Sequence, residues 1–467
     1  MIPVYSFSKK KVFLFGLGCS GLQAALALKA GGADVIAWDD DVLAIKNACS
    51  QGLIVEDLRR MSWDEVSVLI LSPGVQLTDP EPHWVVEIAQ KYNVKIIGDI
   101  QLFVEERNAF LKRVNLRTED CPFIAITGTN GKSTTTALIG YLLKKAGYDV
   151  WIGGNIGTAV LSLPPFMKGR IYVIECSSYQ IDLAPSINPT IGILLNVTLD
   201  HIDRHGTFKS YQLLKKRLIS GSDKAVLAID DPFCLRIYED LLEAGKIVYP
   251  LKVGNPLKDG YFSDRKLILH AQAKRIRILA SLEDIPSLRG DHNMQNTLAA
   301  LACCDLLGID RPHSLASFKG LSHRMEEIAR KRNVLFINDS KATNAEASAA
   351  ALATFNSIYW IAGGVAKEGG IYILRKFFSK MRKVYFIGEA GPVFAREIGE
   401  ELPIVMAGTL AKAVLKAGHD ALCDTEDSVV LFSPACASFD QFTDYQVRGD
   451  SFRKAVYDCF SYPDSKI

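Results

Sequence analysis

Cysteine chemistry of the paired kind is absent: the chain carries ten cysteines and no CxxC pair, and the adjacent Cys303 and Cys304 sit in an apolar pattern of helical spacing. A disulfide framework and a cysteine zinc site are therefore not indicated, and reduced, mostly buried thiols of a cytoplasmic protein are expected. No run of 18 apolar residues occurs, and the apolar stretch behind Met1 to Lys11 is broken by glycines, which argues against a signal peptide and against membrane insertion. Charge of one sign is also missing, with 54 Lys and Arg against 52 Asp and Glu and only the short run Lys9-Lys10-Lys11. Nucleic-acid binding, which needs clustered positive charge, is not expected. No internal repeat of short period is visible.

What is present is an ordinary globular composition, 48% hydrophobic and 23% charged, which excludes global disorder. At roughly 150 residues per domain, the 467 residues predict three units.

Each unit reads as strands alternating with helices, hence as α/β with mostly parallel sheets. In the first, strands are expected at Lys11–Phe15, Asp34–Trp38, Val66–Leu71 and Val94–Ile97, with a helix at Leu22–Ala30. In the second, strands at Phe123–Ile126, Ile171–Glu175, Thr190–Leu195 and Ala225–Ile229 accompany helices at Lys132–Ala146 and Asn293–Leu307, with short strands and turns between Asn255 and Leu282. A linker is expected around Ser317 to His323. The third has strands near Val334–Ile337, Ile358–Ala362, Val384–Ile387 and Val429–Phe432, and helices at Asn344–Thr354, Gly369–Phe378 and Thr409–Lys416.

Two glycine turns lie between a strand and a helix. Gly16-Leu17-Gly18-Cys19-Ser20-Gly21 lets a diphosphate approach backbone N–H groups, and Asp39, ending the next strand, is placed to accept a ribose hydroxyl. A purely structural turn is the alternative there. Gly128-Thr129-Asn130-Gly131-Lys132-Ser133-Thr134 is a shorter loop than the common GxxxxGK[ST] pattern, yet it supplies backbone donors, a lysine for a transferring phosphoryl group and a hydroxyl for Mg²⁺. Downstream, Glu175 ends a strand, and Asp200, His201, Asp203 and His205 follow another; they suit Mg²⁺ beside phosphates, or else form a solvated polar loop. Asn293 and Asn296 share a helix face, where they either meet a base or cap the helix. In the last unit, polar turns follow three strands: Asn338 to Asn344, Gly363 to Lys367 and Ser433 to Asp440. Such strand-end turns are where open α/β sheets bind ligands.

Taken in order, GTNGKST, ECSSYQ, LNVTLDHIDRHG, GDHNMQN, HRME, NDSKATN, GGVAK and SPACASFDQF resemble the Mur ligase family over nearly the whole chain, and with GLGCSG and SPG they are most similar to its D-glutamate-adding branch. The resemblance implies three domains: a UDP-binding domain (1–105), a central P-loop-like ATPase domain (106–321) and a C-terminal domain of dinucleotide fold that holds the amino acid (322–467). It also implies that the first glycine turn, which by itself resembles the NAD site of an oxidoreductase, receives uridine diphosphate through Gly18, Cys19, Ser20, Asp39 and the turn Ser72-Pro73-Gly74, with Asn155 on the sugar.

By the same resemblance, Gly128 to Thr134 hold the ATP phosphates and Ser133, Glu175 and His201 the Mg²⁺. Tyr211 followed four residues on by Lys215 matches the family's carbamylated lysine, a further metal ligand, with Lys216 immediately behind it. Asn293, Asn296, Arg324 and Asp339 are implied at the adenine and ribose, and Thr343, Lys367, Ser438 and Tyr445 at D-glutamate. Tyr445 stands where the family pattern has phenylalanine; Cys176 and Leu199 also differ locally. The implied catalytic set is Lys132, Glu175, His201 and Lys215, with UDP-N-acetylmuramoyl-L-alanine, D-glutamate and ATP as substrates and a monomer as the acting form. A DNPR-type block of the diaminopimelate or lysine adders is absent, a folate polyglutamate enzyme is not expected to begin with GLGCSG, and an oxidoreductase leaves GTNGKST unexplained.

Overall fold

The computed structural model describes residues 1–309, 314–367 and 369–460. Their strands run β1 Lys11–Phe15, β2 Asp34–Trp38, β3 Ile54–Val55, β4 Val66–Leu71, β5 Ile96–Ile97, β6 Phe123–Thr127, β7 Val150–Gly154, β8 Ile171–Glu175, β9 Ile191–Leu194 and β10 Lys224–Ala228. They continue as β11 Val248–Lys252, β12 Gly260–Asp264, β13 Leu267–Gln272, β14 Arg275–Ser281, β15 Glu326–Lys331, β16 Val334–Asn338, β17 Ile358–Gly363, β18 Met381–Ile387, β19 Ile404–Gly408 and β20 Ser428–Phe432.

Three sheets result, ordered β3-β2-β1-β4-β5, β14-β13-β12-β11-β10-β9-β6-β8-β7 and β15-β16-β20-β17-β18-β19. All are parallel except at β12-β13-β14 and at β15, which pair antiparallel. Inner strands such as β6, β17 and β20 are buried along their whole length, the burial that continuous apolar runs require when both faces are covered. The chain divides into two compact units, one of Met1–Glu283 with Gln295–Leu315 and one of Asp284–Met294 with Ala316–Ile467. The first contains the first two sheets, which share a core running from Val12 and Ile70 to Phe123 and Tyr172; the second contains the third sheet.

Strand order decides where ligands sit. In the first sheet the chain leaves β1 for β2 on one side and returns at β4 on the other, so a crevice opens beyond the carboxyl ends of β1 and β4. Gly16 and Ser72 lie at those ends, so close that a Cβ on Gly16 would stand 2.5 Å from the Ser72 Cβ. In the central sheet β6 lies between β9 and β8, with Ile126 paired to Glu175 and Thr127 to Leu194. In the third, β16, β20 and β17 are consecutive neighbours.

Several expected elements differ. The fourth strand is only β5, and the first helix begins at Cys19 rather than Leu22. The expected helix Gly369–Phe378 is a 3₁₀ stretch, Tyr372–Lys380; it starts later than expected because Gly369 and Gly370 hold φ of +93° and +55°, incompatible with a right-handed helical start. The ten cysteines are free, and Cys121, Cys176, Cys234, Cys303, Cys304 and Cys436 are buried. Among the described residues no helix is long and apolar enough to cross a membrane.

Candidate active site

The loop from Gly128 to Lys132 joins β6 to the helix Lys132–Lys145, so the helix N-terminus and its unpaired N–H groups face the loop. Gly131 caps that helix at φ +85°, and a Cβ there would come within 2.3 Å of the Asn296 Oδ1. Glycine is required on both counts. Asn196, just past β9, clamps the loop from the other side: its Oδ1 accepts from the Asn130 N–H at 2.8 Å, and its Nδ2 donates to the Asn130 carbonyl at 3.1 Å and to the Gln295 Oε1 at 3.1 Å. Thr129 is held by its backbone N–H on the Asn196 carbonyl at 2.9 Å and by its hydroxyl, 3.0 Å from the Tyr211 hydroxyl. The Lys132 ammonium donates to the Gly128 and Thr129 carbonyls at 2.9 and 2.8 Å, which keeps it over the loop it serves.

Glu175, at the end of β8, is buried beside this loop. Its Oε1 accepts from the Asn155 Nδ2 at 2.8 Å, while its Oε2 is buried and meets no hydrogen-bond partner. A buried carboxylate oxygen with nothing to bond is costly. Coordination of a cation would offset that cost, so the donor set fits Mg²⁺ shared between ATP phosphates and a few protein groups. Among the described residues no three His, Cys, Asp or Glu side chains converge; a self-sufficient protein cage is therefore not what this site offers.

His201 sits in a left-handed conformation, φ +55°. Its Nδ1 lies 2.9 Å from the Tyr179 hydroxyl and its Nε2 3.4 Å from the Asp200 carboxylate. Burial pushes the Tyr179 phenol up to about 12, so it stays protonated where it meets the imidazole. Lys215, on the helix Phe208–Gly221, is 1% exposed and donates to the Gly128 carbonyl at 3.0 Å and the Thr127 hydroxyl at 3.3 Å. Burial first, and then the Lys132 charge, hold its amine well below the ordinary lysine range. Lys216, next in sequence, instead pairs with Asp240 on the surface at 2.6 Å.

At the first sheet, Asp39 accepts the Leu17 N–H of the glycine turn on one carboxylate oxygen and, at 2.8 Å, the Asp41 N–H on the other, which leaves each oxygen a further lone pair for a ligand. Gly21 packs so tightly that a Cβ would lie 1.8 Å from the Gly16 carbonyl oxygen, whereas nothing within 4 Å would meet one on Gly18 or Gly74. Backbone there is open to a ligand. The Ser20 hydroxyl is bonded to the buried Asp99.

In the second unit, Asp339 and Ser433 each follow the last residue of adjacent strands β16 and β20, with the Ser433 hydroxyl on the Asp339 Oδ2 at 2.8 Å and the Met325 N–H on its Oδ1 at 3.2 Å. Reciprocal backbone bonds of 3.0 Å between Val365 and Ala437 stitch the turn carrying the exposed Lys367 to the turn carrying the buried Ser438. Thr343 is half-buried in the third turn, and Tyr445 opens the helix Tyr445–Phe460 with the Lys341 ammonium 3.9 Å from its ring centroid. The helix Asp291–Leu306 carries both asparagines in its first two turns; Asn293 donates to the Arg289 carbonyl at 2.9 Å, and the Asn296 Oδ1 accepts from Thr135 at 3.1 Å. Sequence reasoning did not single out Tyr179, Lys341 or Ser433, although each lies inside a quoted motif.

Comparison with known proteins agrees with this geometry. Residues 126–304 match the Mur ligase middle domain. A UDP-N-acetylmuramoylalanine–D-glutamate ligase of Mesorhizobium japonicum is 54% identical over 460 residues, covering 98% of this chain and 97% of its own, and one of Brucella abortus is 52% identical over 461 residues, covering 98% and 97%. Among solved structures, the UDP-N-acetylmuramate-alanine ligase MurC of Thermotoga maritima shares the fold at TM-score 0.55 and 20% identity, covering 96% of this chain and 99% of that one. MurF of Acinetobacter baumannii does so at 0.59 and 14%, covering 95% and 93%. With near-full-length identity above half to relatives of one kind, the chain belongs to the UDP-N-acetylmuramoylalanine–D-glutamate ligases of the three-domain Mur ligase family.

Proposed function

We propose that this chain joins D-glutamate to UDP-N-acetylmuramoyl-L-alanine at the expense of ATP, as a cytoplasmic step of peptidoglycan precursor synthesis on which cell shape and division depend. The observation that carries the reading is the phosphate loop of Gly128 to Ser133 flanked by Glu175 and His201, in a chain of this family. The domain limits 1–105, 106–321 and 322–467 belong to the same proposal.

A carboxylate does not form an amide with an amine at a useful rate, because oxide is a poor leaving group. Transfer of the ATP γ-phosphoryl to the alanyl carboxylate gives an acyl phosphate, whose leaving group is phosphate. Lys132 and the loop N–H groups stabilise the charge on the moving phosphoryl. The D-glutamate amine then attacks the acyl carbon, and the tetrahedral intermediate expels phosphate. Ser133, Glu175 and His201 would hold Mg²⁺, which when bound neutralises phosphate charge.

Lys215 is read as carbamylated. Its amine lies against neutral oxygens and the Lys132 charge, which favours the unprotonated form that reacts with CO₂, and a carbamate would offer hard oxygens where an ammonium offers none. Gly18, Cys19, Ser20, Asp39, Ser72, Pro73, Gly74 and Asn155 are assigned to the UDP-sugar, Asn293, Asn296, Arg324 and Asp339 to the nucleoside of ATP, and Thr343, Lys367, Ser438 and Tyr445 to D-glutamate. Lys367 would pair with one carboxylate and the hydroxyls of Thr343 and Ser438 with the other. The test is product analysis: ADP, phosphate and the D-glutamyl product in equal amounts, with an acyl phosphate trapped by borohydride when the amino acid is withheld. Phosphate release without any new amide would overturn the reading.

A further inference from the structure

Arg204 bridges two loops that the reaction uses for different substrates. It lies three residues beyond His201, and one terminal nitrogen donates to the Pro73 carbonyl at 3.3 Å and to the Val75 carbonyl. Its Cζ stands 5.1 Å from the centroid of the Tyr179 ring, and the Tyr179 hydroxyl meets the His201 Nδ1 at 2.9 Å. The same loops touch again at Gly206, where φ is +69° and a Cβ would come within 2.7 Å of the Asp79 carboxylate. Both hydrogen-bond acceptors of Arg204 are neutral carbonyls; Asp182 and Asp203 attract its charge from a distance but do not direct it onto the Pro73 and Val75 carbonyls. A planar guanidinium lays its face against the ring while its edge meets the turn, whereas a lysine ammonium would meet the same carbonyls only as a point charge, without a flat face to hold the ring.

We propose that Arg204 is a positioning residue that couples the setting of the Ser72–Val75 turn to that of His201, so that the nucleotide-sugar and Mg·ATP favour each other's binding. The inference rests on the assignment of those two loops made above. Displacement of the Pro73 and Val75 carbonyls moves the guanidinium, the guanidinium carries the Tyr179 ring, and the phenol carries the imidazole. Coupling of this kind is reciprocal: each ligand must tighten the other by the same factor.

The experiment measures by calorimetry the Kd of a non-hydrolysable Mg·ATP analogue with and without saturating UDP-N-acetylmuramoyl-L-alanine, and the converse, in wild type, Arg204→Lys and Arg204→Met. Wild type is expected to show tightening of about fivefold or more in both directions. Both variants are expected to fall below about twofold, an interaction loss that the single-ligand affinities do not report. A merely structural role would weaken single-ligand binding or lower Tm and leave the ratio alone. If the methionine variant does not fold, the lysine variant decides by the same ratio. Tightening retained in the variants, or absent from a wild type that ligates, overturns the proposal alone; a wild type that binds neither ligand overturns the functional reading with it.

Discussion

Lys132 and Lys215 converge on one oxygen: their side-chain nitrogens lie 2.9 and 3.0 Å from the Gly128 carbonyl. Lys132, proposed above to meet the phosphates, is half-buried at the loop, whereas Lys215 is wholly inside. Two ammonium groups at one carbonyl repel, and the buried one yields. The Lys132 charge thus adds to burial in lowering the pKa of the amine proposed above to carry the carbamate.

Lys215→Ala is expected to lose ligation, by about 100-fold or more if the carbamate oxygens act as one electrostatic group of the transition state. Formate or acetate at high concentration should restore part of the rate by replacing those oxygens. Mass spectrometry of the intact wild type under CO₂ checks the modification directly, through a gain of one CO₂ that the alanine variant lacks. Wild-type turnover in Lys215→Ala, or absence of any rescue, would contradict the assignment.

Glu175→Gln tests the orphaned oxygen. Because the change removes a buried charge with an unpaired Oε2 while keeping the shape, thermal stability in metal-free buffer should hold or rise. The Mg²⁺ concentration needed for half-maximal rate should increase by about tenfold or more. A marked drop in Tm with unchanged Mg²⁺ dependence would show that the carboxylate serves packing alone.

The parts of the molecule legible in the sequence are those where chemistry and neighbours coincide along the chain. Strands β2, β4 and β8 match their expected limits because each is a short apolar run closed by a turn. Strand β15, reading EEIARK, was invisible: it is an antiparallel edge whose residues are all half-buried or exposed, so no apolar run marks it. Strand β7 hides behind Gly153 and Gly154, the latter needed at φ +97° because a Cβ would lie 2.3 Å from the Glu175 carbonyl oxygen. In the site, Lys132 and Glu175 were legible from their own motifs. Tyr179 and Ser433 were not, since their partners, His201 and Asp339, are distant in sequence.

Asp339 carries a pH signature. Burial outweighs its hydrogen bonds and pushes its carboxyl up to about 7, against an ordinary value of 3.8. Between those values the folded form keeps a proton that the unfolded form has lost, so stability falls as pH rises from about 4 to about 7, by at most about 1.4 kcal/mol per pH unit from this group. Below that window both forms are protonated and the contribution is level; above it both are ionised. Denaturant titrations across the window should show the slope in wild type and its reduction in Asp339→Asn. Parallel pH profiles would contradict the assignment.

Lys367→Met should act on the amino acid rather than the nucleotide. Removing the cation leaves a substrate carboxylate without its charged partner, a loss of about 2 kcal/mol or more when the pair is desolvated. The KM for D-glutamate is expected to rise by about 30-fold or more, with the Kd for ATP changing less. An unchanged KM would remove Lys367 from the amino-acid site.

The most direct test of the function is phosphate release from ATP in the presence of UDP-N-acetylmuramoyl-L-alanine and a panel of amino acids: D-glutamate, L-glutamate, D-aspartate, L-lysine and diaminopimelate. The expected result is release that depends on the nucleotide-sugar and on D-glutamate together, one phosphate per amide formed, with little or none for the others. Equal release with L-lysine or diaminopimelate, or release indifferent to the amino acid, would contradict it.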